Sequence, residues 1–149
     1  MATRGKKGKF VPRNKQKYVG NPERIVYRSS WELKFMAYLD SNANITFWAS
    51  EEVKIPYVLN KVRHTYYPDF LIRTIKDQSF LIEVKPKAET QMPKMPQDLT
   101  DVKRVNSYKT AMSTYIKNQA KWQAARQWCE SRGIEFVILT EVELFQKGW

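Results

Sequence analysis

The 149-residue sequence predicts an α/β domain built on one mixed sheet. Three observations lead there. Apolar residues recur at helical spacing near residues 28–40 and again over residues 101–132. Short apolar or alternating runs, bounded by turn residues, fall between these stretches and after them. The resulting order is helix, three or four strands, long helix, strand, which a sheet with helices on its faces accommodates. A chain of this length suits a single domain and buries roughly two-thirds of its unfolded surface, enough for a core without disulfide staples. Its one cysteine, Cys129, excludes an internal disulfide framework and a cysteine-rich zinc site.

Each element has its own signal. Arg28 to Asp40 reads as a helix: Ser29 or Ser30 offers an N-cap, Trp31, Phe35, Tyr38 and Leu39 recur at helical spacing, and Asn42-Ala-Asn44 ends it. Ile45 to Trp48 reads as a short strand. Val53 to Val58 alternates but carries Pro56, which places it at a sheet edge or bend. Asn60 to His64 is expected to be a polar turn. Tyr66 to Ile72 and Ser79 to Val84 are the strongest strands, joined through Lys76-Asp77-Gln78. Pro86, Pro93 and Pro96 make Lys85 to Gln97 an irregular loop. A helix follows from Asp101 to about Arg132, with a break expected near Lys117-Asn118 and with Tyr115, Trp122, Ala125 and Cys129 facing inward; Gly133 stops it. Ile134 to Leu139 closes the sheet, and Glu141 to Gln146 is a last turn or two of helix.

The 26 basic and 15 acidic residues give a net charge of +11, which favours an acidic partner, most simply nucleic acid. The charge is unevenly spread. Residues 1–28 hold nine basic residues, Lys6, Lys7, Lys9 and Arg13 among them, against Glu23 alone, so this stretch supplies +8. The remaining 121 residues hold 17 basic and 14 acidic groups. With Gly5, Gly8, Pro12, Gly20 and Pro22 as punctuation, residues 1–28 read as an extended basic arm that holds phosphate by charge, ahead of a folded domain at 29–149. A solubilising or protein-docking tail is the alternative. On the arm reading, removing residues 1–20 should weaken DNA binding more than chemistry. No apolar run approaches the ~20 residues that span a bilayer, and no secretory signal leads the chain, so we expect a soluble intracellular protein without a membrane partner.

Pro68-Asp69-Phe70 and Glu83-Val84-Lys85 hold the residues that suggest chemistry. Residues two apart on a strand share a face, so Glu83 and Lys85 project together with Val84 turned the other way. If the two strong strands pair antiparallel, Asp69 comes alongside Glu83. Two carboxylates and a lysine in apolar surroundings carry a desolvation cost and call for a partner. A divalent cation is one such partner, since magnesium binds through one or two carboxylates plus substrate phosphate, and phosphodiester hydrolysis needs this set. An ordinary surface Glu–Lys pair is the simpler alternative.

These motifs, with a glutamate on the preceding helix, resemble the PD-(D/E)xK nuclease superfamily. Within it the chain is similar to the head-completion nucleases of T-even-type tailed phages. The likeness rests on Lys9-Phe-Val-Pro-Arg-Asn14, Tyr27-Arg-Ser-Ser-Trp-Glu32, Ile82-Glu-Val-Lys-Pro-Lys87 with Glu89-Thr-Gln91, Lys121-Trp122, Arg132-Gly-Ile-Glu-Phe136 and Leu139-Thr-Glu141, spread over nearly the whole chain. It implies a restriction-endonuclease-like αβββαβ core and a magnesium-dependent endonuclease, with manganese as substitute, that trims DNA protruding from the packaged head before the neck attaches. It also implies catalytic residues Glu32, Asp69, Glu83 and Lys85, with the cation held by Asp69, Glu83 and the carbonyl of Val84. The implied partners are DNA and head, portal or neck proteins, in the virion or the host cytoplasm. Residues 29–87, through Val53 to Val58 and His64 to Leu71, also resemble the junction-resolving endonuclease of short-tailed coliphages, a reading that would bring a homodimer with it. A non-catalytic, DNA-binding head component is the third alternative.

Other residues have simpler readings. Glu32 at a helix start interacts favourably with the dipole whatever else it does. His64 fits an exposed turn, and Glu51-Glu52 a solvated strand start. Trp122 and Trp128 fit core packing and Cys129 a small buried residue. Lys87, Gln91, Asn118 and Lys121 follow or face the lysine motif and are expected to contact DNA.

Overall fold

The computed structural model describes residues 4–146, with side chains from Lys7 to Leu144. Its centre is a four-stranded sheet of order β3-β6-β7-β8, made of Ile45–Ser50, Phe70–Thr74, Ser79–Val84 and Glu135–Leu139. β3, β6 and β7 run antiparallel, whereas β8 lies parallel to β7. A parallel neighbour needs a long crossover. Here α2, Val102–Glu130, supplies it. The mixed α/β architecture is the one read from the sequence.

Alternation along the strands sends side chains to two cores. Phe70, Ile72 and Ile82 pack with Trp31, Phe35, Met36 and Leu39 of α1, Ser30–Ser41. On the other face Leu81 packs with Trp122, Ala125 and Cys129 of α2 and with Ile55, Tyr57 and Tyr66. Ser29 caps α1 by accepting the Glu32 N–H at 3.1 Å, and Asp101 caps α2 by accepting the Arg104 N–H at 3.2 Å. Gly133, at φ +66°, takes the left-handed turn that ends α2 and leads into β8. A short helix, α3 at Glu141–Gln146, follows β8. Among the described residues no helix is long and apolar enough to cross a membrane.

The structure departs from the sequence reading at four places. Residues 60–64 do not form an open polar turn. Ile55–Leu59 and Val62–Tyr66 pair antiparallel as a separate hairpin, β4–β5, whose two-residue loop Asn60-Lys61 has φ +50° and +64°. Two left-handed residues match the right-handed twist of a tight hairpin, so this lysine occupies a position that usually selects glycine. Tyr66 to Ile72 is not one strand, because β5 ends at Tyr66 and β6 begins at Phe70, leaving Tyr67-Pro68-Asp69 between them. α2 has no break near Lys117-Asn118, and Asn118 is buried in its continuous run.

Nor is the basic N-terminal segment a free extended arm. Arg4–Lys9 forms β1 and pairs antiparallel with β2, Val26–Ser29. Phe10, Tyr18 and Ile25 are buried in the core that faces α1. Buried Asp40, near the end of α1, accepts the N–H groups of Arg13 and Asn14 at 2.9 and 3.0 Å, while Lys17 Nζ donates to the carbonyls of Leu39, Asp40 and Asn42. Three buried side chains and a satisfied helix C-terminus outweigh the solvation of a charged segment. The apolar residues are few but spaced to reach one core.

Candidate active site

The register of the central strands assembles the site. Phe70 sits opposite Ile82, so the next position toward this sheet end places Asp69 beside Glu83. Asp69 Oδ2 accepts the N–H of Val84 at 2.7 Å, which fixes the carboxylate against β7. Glu83 and Lys85 project together, as period-two spacing requires, with Nζ 3.6 Å from Oε2. Glu83 is almost wholly enclosed, its side chain 9% exposed, whereas Lys85 keeps 23% and reaches toward solvent. The other oxygen of Glu83, Oε1, accepts a 2.6 Å hydrogen bond from the buried phenol of Tyr66.

Electrostatics reflect this crowding. Burial raises Asp69 well above the ordinary carboxylate range, and the nearby charges of Glu83 and then Glu32 push the same way. Glu83 is also raised by burial, against the opposing effect of the Tyr66 hydroxyl and of Lys85 and Lys121. Burial raises Tyr66 too, with Glu83 reinforcing it. Glu32, in the first turn of α1, is raised by burial and feels both Glu83 and Lys85, while its Oε1 accepts the Arg28 N–H at 3.3 Å. Its helix-capping role and its place beside the site therefore coexist.

Two carboxylates raised by burial, with Glu83 pushing Asp69 up further, form a donor set that a hard cation relieves by supplying the missing positive charge. Among the described residues no three His, Cys, Asp or Glu side chains close into a ligand cage, so Glu32 stands outside any such group. Magnesium does not need a cage: it keeps several waters and uses one or two carboxylates plus phosphate oxygens. Asp69 and Glu83 fit that pattern. Val84 meets the site through its N–H.

The expected DNA-contacting residues are distributed unequally. Lys121 joins the site: its Nζ lies 5.6 Å from the Tyr66 ring centre, and its pKa is lowered by burial and by Lys117 while Glu83 and Asp69 act in the opposite direction. Asn118 is buried one turn earlier on α2. Lys87 is exposed in a 3-10 turn after β7, its N–H donated to Glu141 Oε1 at 2.7 Å, and Gln91 is exposed just beyond. Lys7, Lys9 and Arg13 are exposed on or after β1, whereas the side chain of Lys6 lies outside the described residues.

The remaining candidates keep structural roles. His64 stacks on Tyr57 across the hairpin, with ring centres 5.2 Å apart. Glu51 pairs with Arg28 and gives its N–H to the Asp69 carbonyl, and Glu52 accepts from the Tyr18 hydroxyl at 3.4 Å. Trp122 is buried in the core facing α2, and Trp128 lies under the Arg132 guanidinium at 4.2 Å. Cys129 is buried, its thiol pushed up to about 11, and so unreactive. Tyr66 is the residue that reading the sequence missed. Nothing local marks it, because its partner Glu83 is 17 positions away and only the β4–β5 hairpin delivers the phenol there.

Comparison with known proteins bears on the family of the chain. Over 144 residues, 95% of each chain, the sequence is 43% identical to the protein named head completion nuclease of Enterobacteria phage T4. Residues 42–141, which contain Asp69, Tyr66, Glu83, Lys85 and Lys121, match the family described as TnsA-like endonuclease N terminal. The chain therefore belongs to the TnsA-like endonuclease family, a branch of the restriction-endonuclease-like nucleases.

Proposed function

We propose that this chain is a phage head-completion endonuclease that hydrolyses DNA phosphodiesters with a divalent cation, magnesium first and manganese in its place. Its role would be to trim DNA protruding from the packaged head before the neck attaches, with head, portal or neck proteins as partners. One observation carries the chemistry: Asp69 and Glu83 stand side by side on adjacent strands, with Lys85 Nζ 3.6 Å from Glu83. Asp69, Glu83 and the Val84 carbonyl would hold the cation. When bound, it supplies Lewis acidity to a phosphodiester oxygen and lowers the pKa of water.

The side chains do the rest. The Lys85 ammonium, partly open to solvent, orients water toward the phosphorus and offsets the negative charge that builds on the phosphate. Tyr66 locks the rotamer of Glu83, and Glu32 receives or relays a proton at its carboxylate from the α1 side. Lys121 faces the same charges from α2. Lys87 and Gln91, with Lys7, Lys9 and Arg13 of the N-terminal segment, hold the DNA backbone, whereas Asn118 is buried and withdrawn from it.

A plasmid-nicking assay tests the reading. Wild type should nick in magnesium and stop in excess chelator, while Lys85→Ala and Asp69→Ala should each lose at least about a hundredfold in rate, the scale of removing one charge-stabilising group. Cleavage that persists in both variants would remove the site. The hairpin and β6 also carry the likeness to junction-resolving enzymes, so linear, flapped and four-way substrates should be compared. Preferential cutting of the four-way form would replace trimming with junction resolution.

A further inference from the structure

On α2, Lys103 and Lys121 are 18 positions apart, which is about five full turns, so they stand at the same angle around the helix. Between them Ser107, Thr110, Thr114 and Lys117 fall within about 40° of that line at 100° per residue. Lys103, Ser107, Thr110, Thr114 and Lys117 are exposed, and Lys121 is half-buried at the active site. The apolar face of this half of the helix lies elsewhere: Val105, Tyr108 and Met112 are partly buried and point away from the stripe. Every side chain in the row donates hydrogen bonds, three carry positive charge, and from Val102 to Cys129 the helix has no acidic residue.

We propose that this stripe is the track for the phosphate backbone of the DNA that flanks the cut, and that it ends at the catalytic centre through Lys121. Its length is about 27 Å, and its six donors follow one another at about 4.5–6 Å along the axis. Ammonium and hydroxyl groups suit phosphate oxygens and read no bases, so the track binds without sequence preference. Charge complementarity identifies the occupant as a nucleic-acid backbone, not an acidic protein, since the donors form one continuous line with no acidic residue among them. The proposal rests on the nuclease reading for the strand's destination, though not for its binding.

The test measures binding to a short linear duplex across a salt series, without added metal, in the full chain. Lys103→Ala/Lys117→Ala is compared with wild type and with Arg73→Ala/Lys76→Ala, two exposed basic residues at the opposite end of the central strands. Each lost phosphate contact lowers the slope of log K against log salt by about 0.9, so the α2 pair should lower it by about 1.8. Between 50 and 200 mM salt, wild type should then lose about tenfold more affinity than that variant. The control pair should leave the slope unchanged. Equal slopes for wild type and the α2 variant, or equal losses for both pairs, would overturn the track. If the slope falls as expected but wild type fails to nick plasmid in magnesium, the track stands and the nuclease reading fails.

Discussion

Asp69 carries its charge against burial and against the carboxylates of Glu83 and Glu32, which is why its pKa is held well above the usual range. A group raised on folding contributes fully to stability while protonated, below its unfolded pKa, and that contribution is lost as pH rises through the folded pKa. In metal-free buffer near neutrality the charged site therefore costs stability. Asp69→Asn, which keeps an acceptor for the Val84 N–H, should raise the melting temperature there by about 3 °C, or about 1 kcal/mol, the usual gain when a strained functional residue is neutralised. The gain should fade as pH drops into the ordinary carboxylate range, where wild type is protonated too. An equal gain at all pH values would assign the effect to packing. Tyr66→Phe removes one hydroxyl and keeps the ring beneath Lys121. A hydrogen bond to a charged partner is worth about 1.5–3 kcal/mol, so kcat should fall about tenfold to a hundredfold with KM for DNA unchanged. A loss confined to KM would give Tyr66 a binding role instead.

The β4–β5 hairpin brings Tyr66 to the site, and its loop holds Lys61 at φ +64°. Glycine accepts that conformation freely, whereas a β-branched residue there is an outlier. Lys61→Gly should therefore leave stability unchanged or raise it by about 0.5 kcal/mol, and Lys61→Val should cost about 1–2 kcal/mol and lower cleavage with it, as chemical denaturation and nicking would report. Equal behaviour of the two variants would mean that the loop does not hold the hairpin. This element was also the one least legible in the sequence. β7, α1 and β8 announce themselves by period and by caps, and Asp69, Glu83 and Lys85 follow from strand spacing plus one register. The hairpin does not, since Asn60-Lys61 lacks the glycine that normally marks such a turn, and Arg63 and His64 lower the apolar content of β5. The continuity of α2 through Asn118 was hidden for a related reason: tertiary burial, not local propensity, turns that polar side chain inward.

The charge asymmetry takes on a different meaning once the N-terminal segment is seen packed into the body. Residues 1–28 carry +8, yet Phe10, Tyr18 and Ile25 belong to the core, and backbone N–H groups of Arg13 and Asn14 satisfy buried Asp40. Truncating one large buried aromatic costs about 3–5 kcal/mol, and a domain has only about 5–15 kcal/mol in total. Deleting residues 1–20 removes Phe10, Tyr18 and β1 together, so it should abolish folding and not merely weaken DNA binding. Circular dichroism of that deletion should show loss of cooperative melting, and Phe10→Ala alone should melt well below wild type. The charge is tested separately by Lys7→Gln/Lys9→Gln/Arg13→Gln. These side chains are exposed, and the 3.9 Å Lys9–Glu23 pair contributes little in water, so the fold should survive. If all three touch phosphate, the salt slope of DNA binding should fall by about 2.7 with the single-turnover cleavage rate at saturating DNA unchanged. A deletion that still folds would restore the separable arm. An unchanged slope in the triple variant would leave DNA holding to α2 and the loop after β7, and would turn the +8 surface toward another acidic partner.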